Sequence, residues 1–387
     1  MLAQIREITL MNLLNLPSRL GSSSVIIVGI AGVVAVLVGL LSMAVGFSKA
    51  LESTGKPDRA IIMRQGTTSE MNGFLTREQR AIIKAMEGVE YGSGEIYVVA
   101  AIRKLGTDVD ANVVVRGVEP EAFLIRPEIE LVSGRRFVPG RAEIIVGVKA
   151  ANQFAGLEVG NELPVRDQTW EVVGHFAADG SSYEGEIWAD LANVQSVYRR
   201  GGGSSTMRLK MTSPEALAAL DERIRQDPRF DVTAKSEVQH YASQAQDRAD
   251  LINGFGFAVG VIMAIGAVFA ALNTMYAAVS ARTVEIATLR ALGFGSFPVV
   301  VSVLIEALAL ALLGGTLGGI LVWLLFDGYT ASTLNNASFS QVVFDFAVTT
   351  DLLVMGMTWA LALGFVGGLF PAIRAARIPI TTALRGE

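Results

Sequence analysis

Four stretches of this sequence are too long and too free of charge to belong to a soluble fold. Residues 20–48 contain no charged side chain, and neither do residues 251–281. Ala291–Phe326 is interrupted only by Glu306, and Leu352–Ile373 adds a last apolar run of 22. An α-helix needs about 20 apolar residues to cross about 30 Å of hydrocarbon, so these runs predict four transmembrane helices. The first run exceeds the core of a typical secretory signal and begins well inside the chain. It is read as a span, with cleavage after the small residues Ala44 and Gly46 as the lesser alternative.

Charge falls almost entirely between the first two runs. Residues 48–250 hold 25 of the 32 Lys/Arg and 30 of the 37 Asp/Glu. They form a soluble domain of net charge −5, whereas the other 184 residues carry 14 charges that sum to zero. The predicted fold class is therefore an α-helical membrane protein with four transmembrane helices and a large mixed α/β extracytoplasmic domain inserted between helices 1 and 2. A wholly soluble enzyme is excluded, and the acidic balance argues against a nucleic-acid partner. The chain has no cysteine, which removes disulfides, thiolate catalysis and cysteine-based zinc sites.

Short flanking segments set the orientation. Arg6 and Arg19 precede the first span, Arg282 and Arg290 lie between the second and third, and Arg374, Arg377 and Arg385 follow the fourth. The connector 327–351 has three aspartates and no Lys or Arg. Positive flanks stay in the cytoplasm, so both termini are expected on the cytoplasmic side of the membrane and residues 49–250 outside it. The expected segments are a cytoplasmic amphipathic helix (1–21), helix 1 (22–48), an α/β domain of two subdomains (49–235), and a stalk with helix 2 (236–281). A cytoplasmic helix (282–296), helix 3 (297–326), a short external loop (327–351), helix 4 (352–373) and a tail (374–387) complete the chain.

Within the first segment, Ile5, Ile8, Leu13 and Leu16 stand near helical spacing and Pro17 ends the run, which suggests a helix on the inner leaflet. The external domain shows β-branched runs at 59–65, 96–102, 112–118, 143–148, 163–165, 169–173 and 207–211, with helices at 76–86 and 214–226. Residues 177–186 and 201–205 read as turns. Ser236–Asp250 contains no Gly or Pro and runs directly into the second span. A continuous helix from there to Glu285 is about 75 Å long, unless Gly254 and Gly256 kink it.

Chemistry is nearly absent. His175 and His240 are far apart and lie in no metal-ligand spacing, so no metal site is expected. Gly55-Lys56 resembles the end of a phosphate loop, but Pro57 stands where Ser or Thr is required and Ala50 where the first glycine should be. No Gly-x-Ser-x-Gly occurs. Glu306 is the single carboxylate within a span and is singled out for that reason, either hydrogen-bonded to another helix or paired with a basic group near 282–293. Glycines at short helical intervals permit close helix approach, and Gly29, Gly32, Gly256 and Gly260 are the candidates for a dimer interface.

Two stretches are more specific. Ala281–Phe294 reads ARTVEIATLRALGF and is followed by Glu306; residues 368–385 read GLFPAIRAARIPITTALR. Together they resemble the permeases of the MacB/FtsX/LolC superfamily of ABC transporters, in which the order is also one span, a large external domain and three spans. Gly117-Val118, Gly134–Phe137, Gly147 and Gly160 are weakly similar to the MacB periplasmic type. The resemblance implies that Arg282, Glu285, Ile286, Leu289, Arg290 and Gly293 form a helix coupling to an ATPase, and that Pro371, Arg374, Arg377 and Pro379 form a C-terminal motif. It implies a second permease copy or paralogue, two copies of a separate ATPase subunit holding ATP and magnesium, and no cofactor on this chain. ATP-driven closure would pass along helix 2 to the external domain (mechanotransmission). Efflux with a periplasmic adaptor and an outer-membrane channel is the first functional reading. LolC-like handling of lipoproteins or envelope lipids is the second, and a sensor acting through the same ATPase is the alternative of another class.

Overall fold

The computed structural model describes residues 2–14, 20–67, 69–335 and 340–380. In chain order the helices are α1 (Leu2–Leu14), α2 (Leu20–Thr54), α3 (Arg77–Lys84), α4 (Ala122–Ile125), α5 (Val148–Gln153), α6 (Leu191–Val197), α7 (Ala216–Gln226), α8 (Glu237–Ala281), α9 (Thr283–Ala291), α10 (Ser296–Phe326) and α11 (Thr350–Arg377). The strands are β1 (Arg59–Arg64), β2 (Val89–Arg103), β3 (Asp110–Val118), β4 (Glu130–Gly134), β5 (Glu143–Gly147), β6 (Glu162–Val165), β7 (Gln168–Ala177), β8 (Ile187–Asp190), β9 (Thr206–Met211), β10 (Val232–Ser236), β11 (Thr330–Asn335) and β12 (Ser340–Asp345). Helices α2, α8, α10 and α11 are long and apolar enough to cross a membrane. The chain divides into a helical unit (1–45, 250–329 and 347–387) and a mixed α/β unit (46–249 and 330–346).

In the helical unit, glycine decides which helices touch. A Cβ added to Gly314 or Gly318 of α10 would lie 2.8 Å and 2.6 Å from the carbonyl oxygens of Ile27 and Ala31 on α2. On the other side of α10, Gly315 meets Ala360 and Met357 of α11, while Gly364 and Gly368 of α11 meet Ala311 and Ala307. Such contact is feasible only without side chains at those positions. The apolar set Ile30, Val34, Leu310, Ala311 and Ala360 closes around these crossings. Helix α1 packs on α10, burying Ile8 and Asn12 and leaving Leu10 and Leu14 exposed; Asn12 Nδ2 donates to Ser302 Oγ at 2.7 Å. Of the residues expected to shape this amphipathic segment, Leu16 and Pro17 lie outside the described residues.

The α/β unit is built on one sheet of order β10-β1-β9-β2-β3-β8-β5-β7-β4, with β6 paired to β7. Its pairings are antiparallel except β3 with β8 and β5 with β7. Strand residues alternate between faces, so Ile144 and Val146 of β5 enter one core with Val113, Val115 and Trp170. Ile145 enters another with Phe176 and Trp188. The stretch read as two subdomains is thus spanned by one sheet. Ile62 of β1 and Leu209 of β9 share a core with Ile83 of α3 and with Leu220 and Ile224 of α7. The chain from β3 to β8 is inserted between β2 and β9. Helix α3 starts at a capping box, in which Thr76 accepts from the Gln79 backbone and Gln79 returns the bond.

Residues 327–351, expected as a loop, instead contain the hairpin β11–β12. Val343 and Phe344 are fully buried in the α/β unit. The Ser340 and Tyr97 hydroxyls are 2.9 Å apart, and Lys149 Nζ lies 3.1 Å from Asp345. Gly46 of α2 lies against the Asp345 carbonyl so closely that a side chain there would collide with it.

Between the sheet and the first turns of α8 lies a set of buried charges. Arg116 of β3 donates through Nε and Nη2 to Glu186, both at 2.7 Å, and through Nη1 to Glu70 at 2.9 Å and Glu95 at 3.0 Å. Arg126 donates to Glu95 at 2.7 Å. Arg208 of β9 reaches Glu70 at 2.7 Å, Glu237 at 2.9 Å and the Tyr241 hydroxyl at 2.9 Å. Glu237 and Tyr241 belong to α8, so this network fixes where that helix leaves the sheet. Nearby, Thr54 Oγ1 at the end of α2 accepts from the Ser182 backbone at 2.9 Å. A Cβ on Gly55 would stand 2.8 Å from Val238 Cα; Gly55 therefore lets the chain after α2 pass directly against α8.

Burial pushes the Glu70 carboxyl up, but Arg208 and Arg116 outweigh it and hold it well below the usual carboxylate range. Glu95 is lowered in the same way, its burial overcome by Arg126 and Arg116. In the unfolded chain both carboxyls take up protons near pH ~4.3, above their folded values. Their stabilising contribution is therefore full above that pH and is lost as pH falls through the depressed folded values. Hydrogen-exchange protection of β3 and β9 in the detergent-solubilised chain, corrected for intrinsic rates, should hold from pH 7 to about 5 and decline below about 4. Equal protection at pH 3.5 and 7 would contradict this.

Candidate functional site

The region around α9 is assembled by three local devices. Arg282, the residue after α8, has φ −107° and ψ 14°, which breaks the helix and turns the chain into α9. At the other end Gly293 has φ +94°, a left-handed conformation that side-chain-bearing residues rarely adopt. There the Phe294 N–H bonds to the Leu289 carbonyl and the Gly293 N–H to the Arg290 carbonyl, the paired bonds of a Schellman cap. The third device is in the tail. Pro379 disfavours helical geometry at the residue before it, and Ile378 is extended at φ −62° and ψ 125°. Its carbonyl accepts from Arg290 Nη1 at 2.5 Å.

Arg282 and Glu306 form a two-pronged ion pair. Nη1 donates to Oε2 at 2.9 Å and Nη2 to Oε1 at 2.5 Å. Both residues are buried, at 7% and 4% exposure, so the membrane carboxylate is neutralised by the first residue of the connector. A planar guanidinium matches a carboxylate with two parallel bonds, which fixes orientation as well as charge. At the other end of the segment, Gln4 Nε2 of α1 lies 3.5 Å from the Gly293 carbonyl.

The residues singled out by the motif divide between two faces of α9. Ile286 is buried and Leu289 and Arg290 are half-buried, so these hold the helix to the unit. Glu285 and Gly293 are exposed. The outward face is Val284, Glu285, Thr288, Ala291 and Leu292, with Val284 57% and Leu292 73% exposed. Sequence reasoning missed Val284 and Leu292; the signal available was their i, i+8 spacing on the side opposite Ile286. Of the tail residues, Pro371 lies buried inside α11, Arg374 stands over the Tyr276 ring at 5.4 Å, and Arg377 and Pro379 are exposed.

The candidate interface glycines also divide. A Cβ on Gly260 would meet Leu37 at 2.9 Å and one on Gly256 would meet Leu40 at 3.4 Å, so both face α2 of the same chain. Gly29 and Gly32 have nothing within 4 Å of such a Cβ. Both histidines take part in local contacts: His175 Nε2 is 2.7 Å from the Leu157 carbonyl, and His240 Nε2 is 2.9 Å from Gln244 and 3.7 Å from Glu70. Among the described residues no group of His, Asp and Glu could hold a metal ion.

Residues 23–227 match the family model of the MacB-like periplasmic core domain, and residues 257–380 that of the FtsX-like permease C-terminal region. Over 240 residues the chain is 25% identical to the macrolide export ATP-binding/permease protein MacB of Nitrosomonas europaea, a match covering 59% of this chain and 35% of that one. Over 396 residues it is 24% identical to the lipoprotein-releasing system transmembrane protein LolC of Xylella fastidiosa, covering 93% of each. The match thus spans about a third of that MacB but nearly all of that LolC. The crystal structure of the periplasmic region of MacB from Actinobacillus actinomycetemcomitans aligns with a TM-score of 0.36 and 12% identity, over 46% of this chain and 89% of that one. The first model alone covers more than half of the sequence, and the chain belongs to the ABC transporter permeases of the MacB/FtsX/LolC type.

Proposed function

We propose that α9 is the docking helix for a separate ATPase chain, and that this permease converts the partner's ATP hydrolysis into movement of its extracytoplasmic α/β unit. The observation that carries the reading is the build of α9. It is a nine-residue helix set off from α8 by the break at Arg282 and closed by a Schellman cap at Gly293, tied inward by Arg282 and Arg290, and presenting an exposed face around Val284, Thr288 and Leu292. A face held this firmly can transmit a push into α8 and α10 rather than yield to it. ATP and magnesium sit on the partner, of which two copies serve a pair of permeases. The second permease, identical or a paralogue, packs on α2 and α8, where Gly29 and Gly32 are open and Phe255, Ile262 and Phe269 are exposed.

Efflux with a periplasmic adaptor and an outer-membrane channel is the first reading of the cargo, supported by the MacB-like core domain. Release of lipoproteins or envelope lipids is the second, favoured by the match along 93% of LolC. Both place α9 in the cytoplasm and the α/β unit outside.

Three outcomes are expected. Because the chain has no cysteine, single cysteines report topology cleanly. In oriented membranes Leu292→Cys should react with an impermeant maleimide only from the cytoplasmic side, and Val132→Cys only from the outer side. Co-purification with the ATPase should fall about tenfold or more in Val284→Asp/Leu292→Asp, as when an apolar anchor is removed from an interface centre, with the permease itself still folded. Unchanged co-purification and turnover would remove α9 from the interface. Glu306→Ala leaves Arg282 buried without its partner and should cost about 3–5 kcal/mol. Arg282→Glu/Glu306→Arg should recover much of that stability, measured by thermal unfolding in detergent; a double variant as unstable as the single would show that the pair itself contributes little.

A further inference from the structure

Strands β2 and β3 are joined by residues 104–109, which read KLGTDV. A turn in water is usually made of Gly, Asn, Asp or Ser. This one has Gly106 at φ +72°, but it also turns Leu105 and Val109 outward, at 47% and 62% exposure.

Contacts inside the α/β unit fix where the turn lies. The Leu105 N–H donates to the Gln153 carbonyl at 2.9 Å, and the Gln153 side-chain amide donates to the Thr330 carbonyl at 3.2 Å. Eight residues back along β2, the Tyr97 hydroxyl meets that of Ser340. Ser340 pairs with Asn335 at one end of the β11–β12 ladder, and Thr330 pairs with Asp345 at the other. The two hairpins thus lie side by side, with the β2–β3 turn level with the ends at which β11 and β12 continue into α10 and α11. Thr330 follows Phe326, the last residue of α10, by four positions, a reach of at most about 14 Å. Asp345 lies against Gly46 of α2, three residues before Lys49, the first charge after that apolar run. Two spans therefore place this corner where hydrocarbon gives way to headgroups.

The backbone of the turn is suited to that layer. The Lys104 N–H bonds to the Val109 carbonyl at 3.0 Å, the Thr107 N–H to the Lys104 carbonyl at 3.3 Å, and the Val109 N–H to Thr107 Oγ1 at 3.4 Å. Unsatisfied backbone groups are what exclude loops from lipid, and these donors are already occupied. Arg103 and Asp108, an exposed pair 3.5 Å apart, keep the rest of the turn among the headgroups.

We propose that residues 104–109 are a membrane contact, with Leu105 and Val109 entering the headgroup–acyl boundary of the leaflet that faces the α/β unit. The contact gives that unit a footing on lipid in addition to its chain connections to the spans. It is independent of any role of α9 in docking an ATPase.

The test uses the full chain in phosphatidylcholine nanodiscs. Since the chain has no cysteine, Val109→Cys carries a single environment-sensitive NBD dye. Gln65→Cys is the reference, exposed just beyond β1, at the end of the β1–β10 ladder opposite Ala60 and Ser236, where α2 and α8 adjoin the sheet. The dye at 109 should emit to the blue of the dye at 65. It should be quenched by phosphatidylcholine bearing a nitroxide high on its acyl chain and spared by aqueous iodide, with the reverse at 65. Leu105→Asp should abolish the lipid quenching at 109 and restore quenching by iodide. The same substitution should leave the dye at 65 unchanged, which separates loss of the contact from loss of the fold. Iodide reaching 109 as readily as 65 would overturn the proposal. Shielding of 109 from both quenchers would do so too, as it indicates a protein, such as a second permease copy, over the turn. Lipid quenching that survives Leu105→Asp would also overturn it, since the dye and not the turn would then be seeking the bilayer.

Discussion

Arginine and glutamate are paired away from water in both compact units, and the placement of the long helices depends on those pairs. A charge taken out of water costs several kcal/mol, recovered only when a partner stands in good geometry and the remaining hydrogen-bonding atoms are occupied. This makes such a pair a poor source of stability but a strict selector of arrangement. In the α/β unit Arg116, Arg126 and Arg208 share Glu70, Glu95, Glu186 and Glu237. In the helical unit Arg282 and Glu306 do the same with two residues. Helix α8 has such an anchor at each end, Glu237 in its first turn and Arg282 just beyond its last. Slipping it by one residue at either place would leave a buried charge alone.

Glycine provides the complementary constraint. Apolar surface offers little preference for another helix over lipid, so contact in a bilayer is selected by how closely backbones approach. Gly314 and Gly318 take α10 against the carbonyl oxygens of α2, and Gly364 and Gly368 bring α11 against Ala307 and Ala311. Gly256 and Gly260, whose spacing suggests a contact between chains, are occupied by Leu40 and Leu37 of the same chain. The pattern of small residues identifies a close contact, but only coordinates tell which helix fills it.

That difference runs through what the sequence made legible. The spans were readable because lack of charge over twenty or more residues has one physical meaning, whereas the left-handed cap at Gly293 was not read, the residue being singled out only through the motif. Strands β1, β2, β3, β5, β6, β7 and β9 of the α/β unit were readable from their β-branched runs, whereas the short strands β4, β8 and β10 were not. The hairpin Thr330–Asp345 was not, because its burial depends on partners such as Tyr97, Lys149 and Gln153 more than 170 positions away. The buried charges were invisible for the same reason. Glu70, Glu95, Arg116, Arg208 and Glu237 have no common period, and in a domain rich in charge each looks like an ordinary surface residue. Glu306 stood out only because its surroundings in sequence are apolar, and the choice of Arg282 over Arg290 as its partner is geometric.

The two motif segments, far apart in sequence, are one physical object. Pro379 matters less for ending α11 than for turning the Ile378 carbonyl out of helical register, where it takes the Arg290 guanidinium. Arg290 is thereby committed inward, as Arg282 is by Glu306, and the two basic residues of the connector are withdrawn from its surface. What α9 leaves outside is Glu285 among Val284, Thr288, Ala291 and Leu292. On the proposed docking role, a partner of this helix would meet an apolar surface at Val284 and Leu292. An acidic surface seeking the two arginines would find both already engaged.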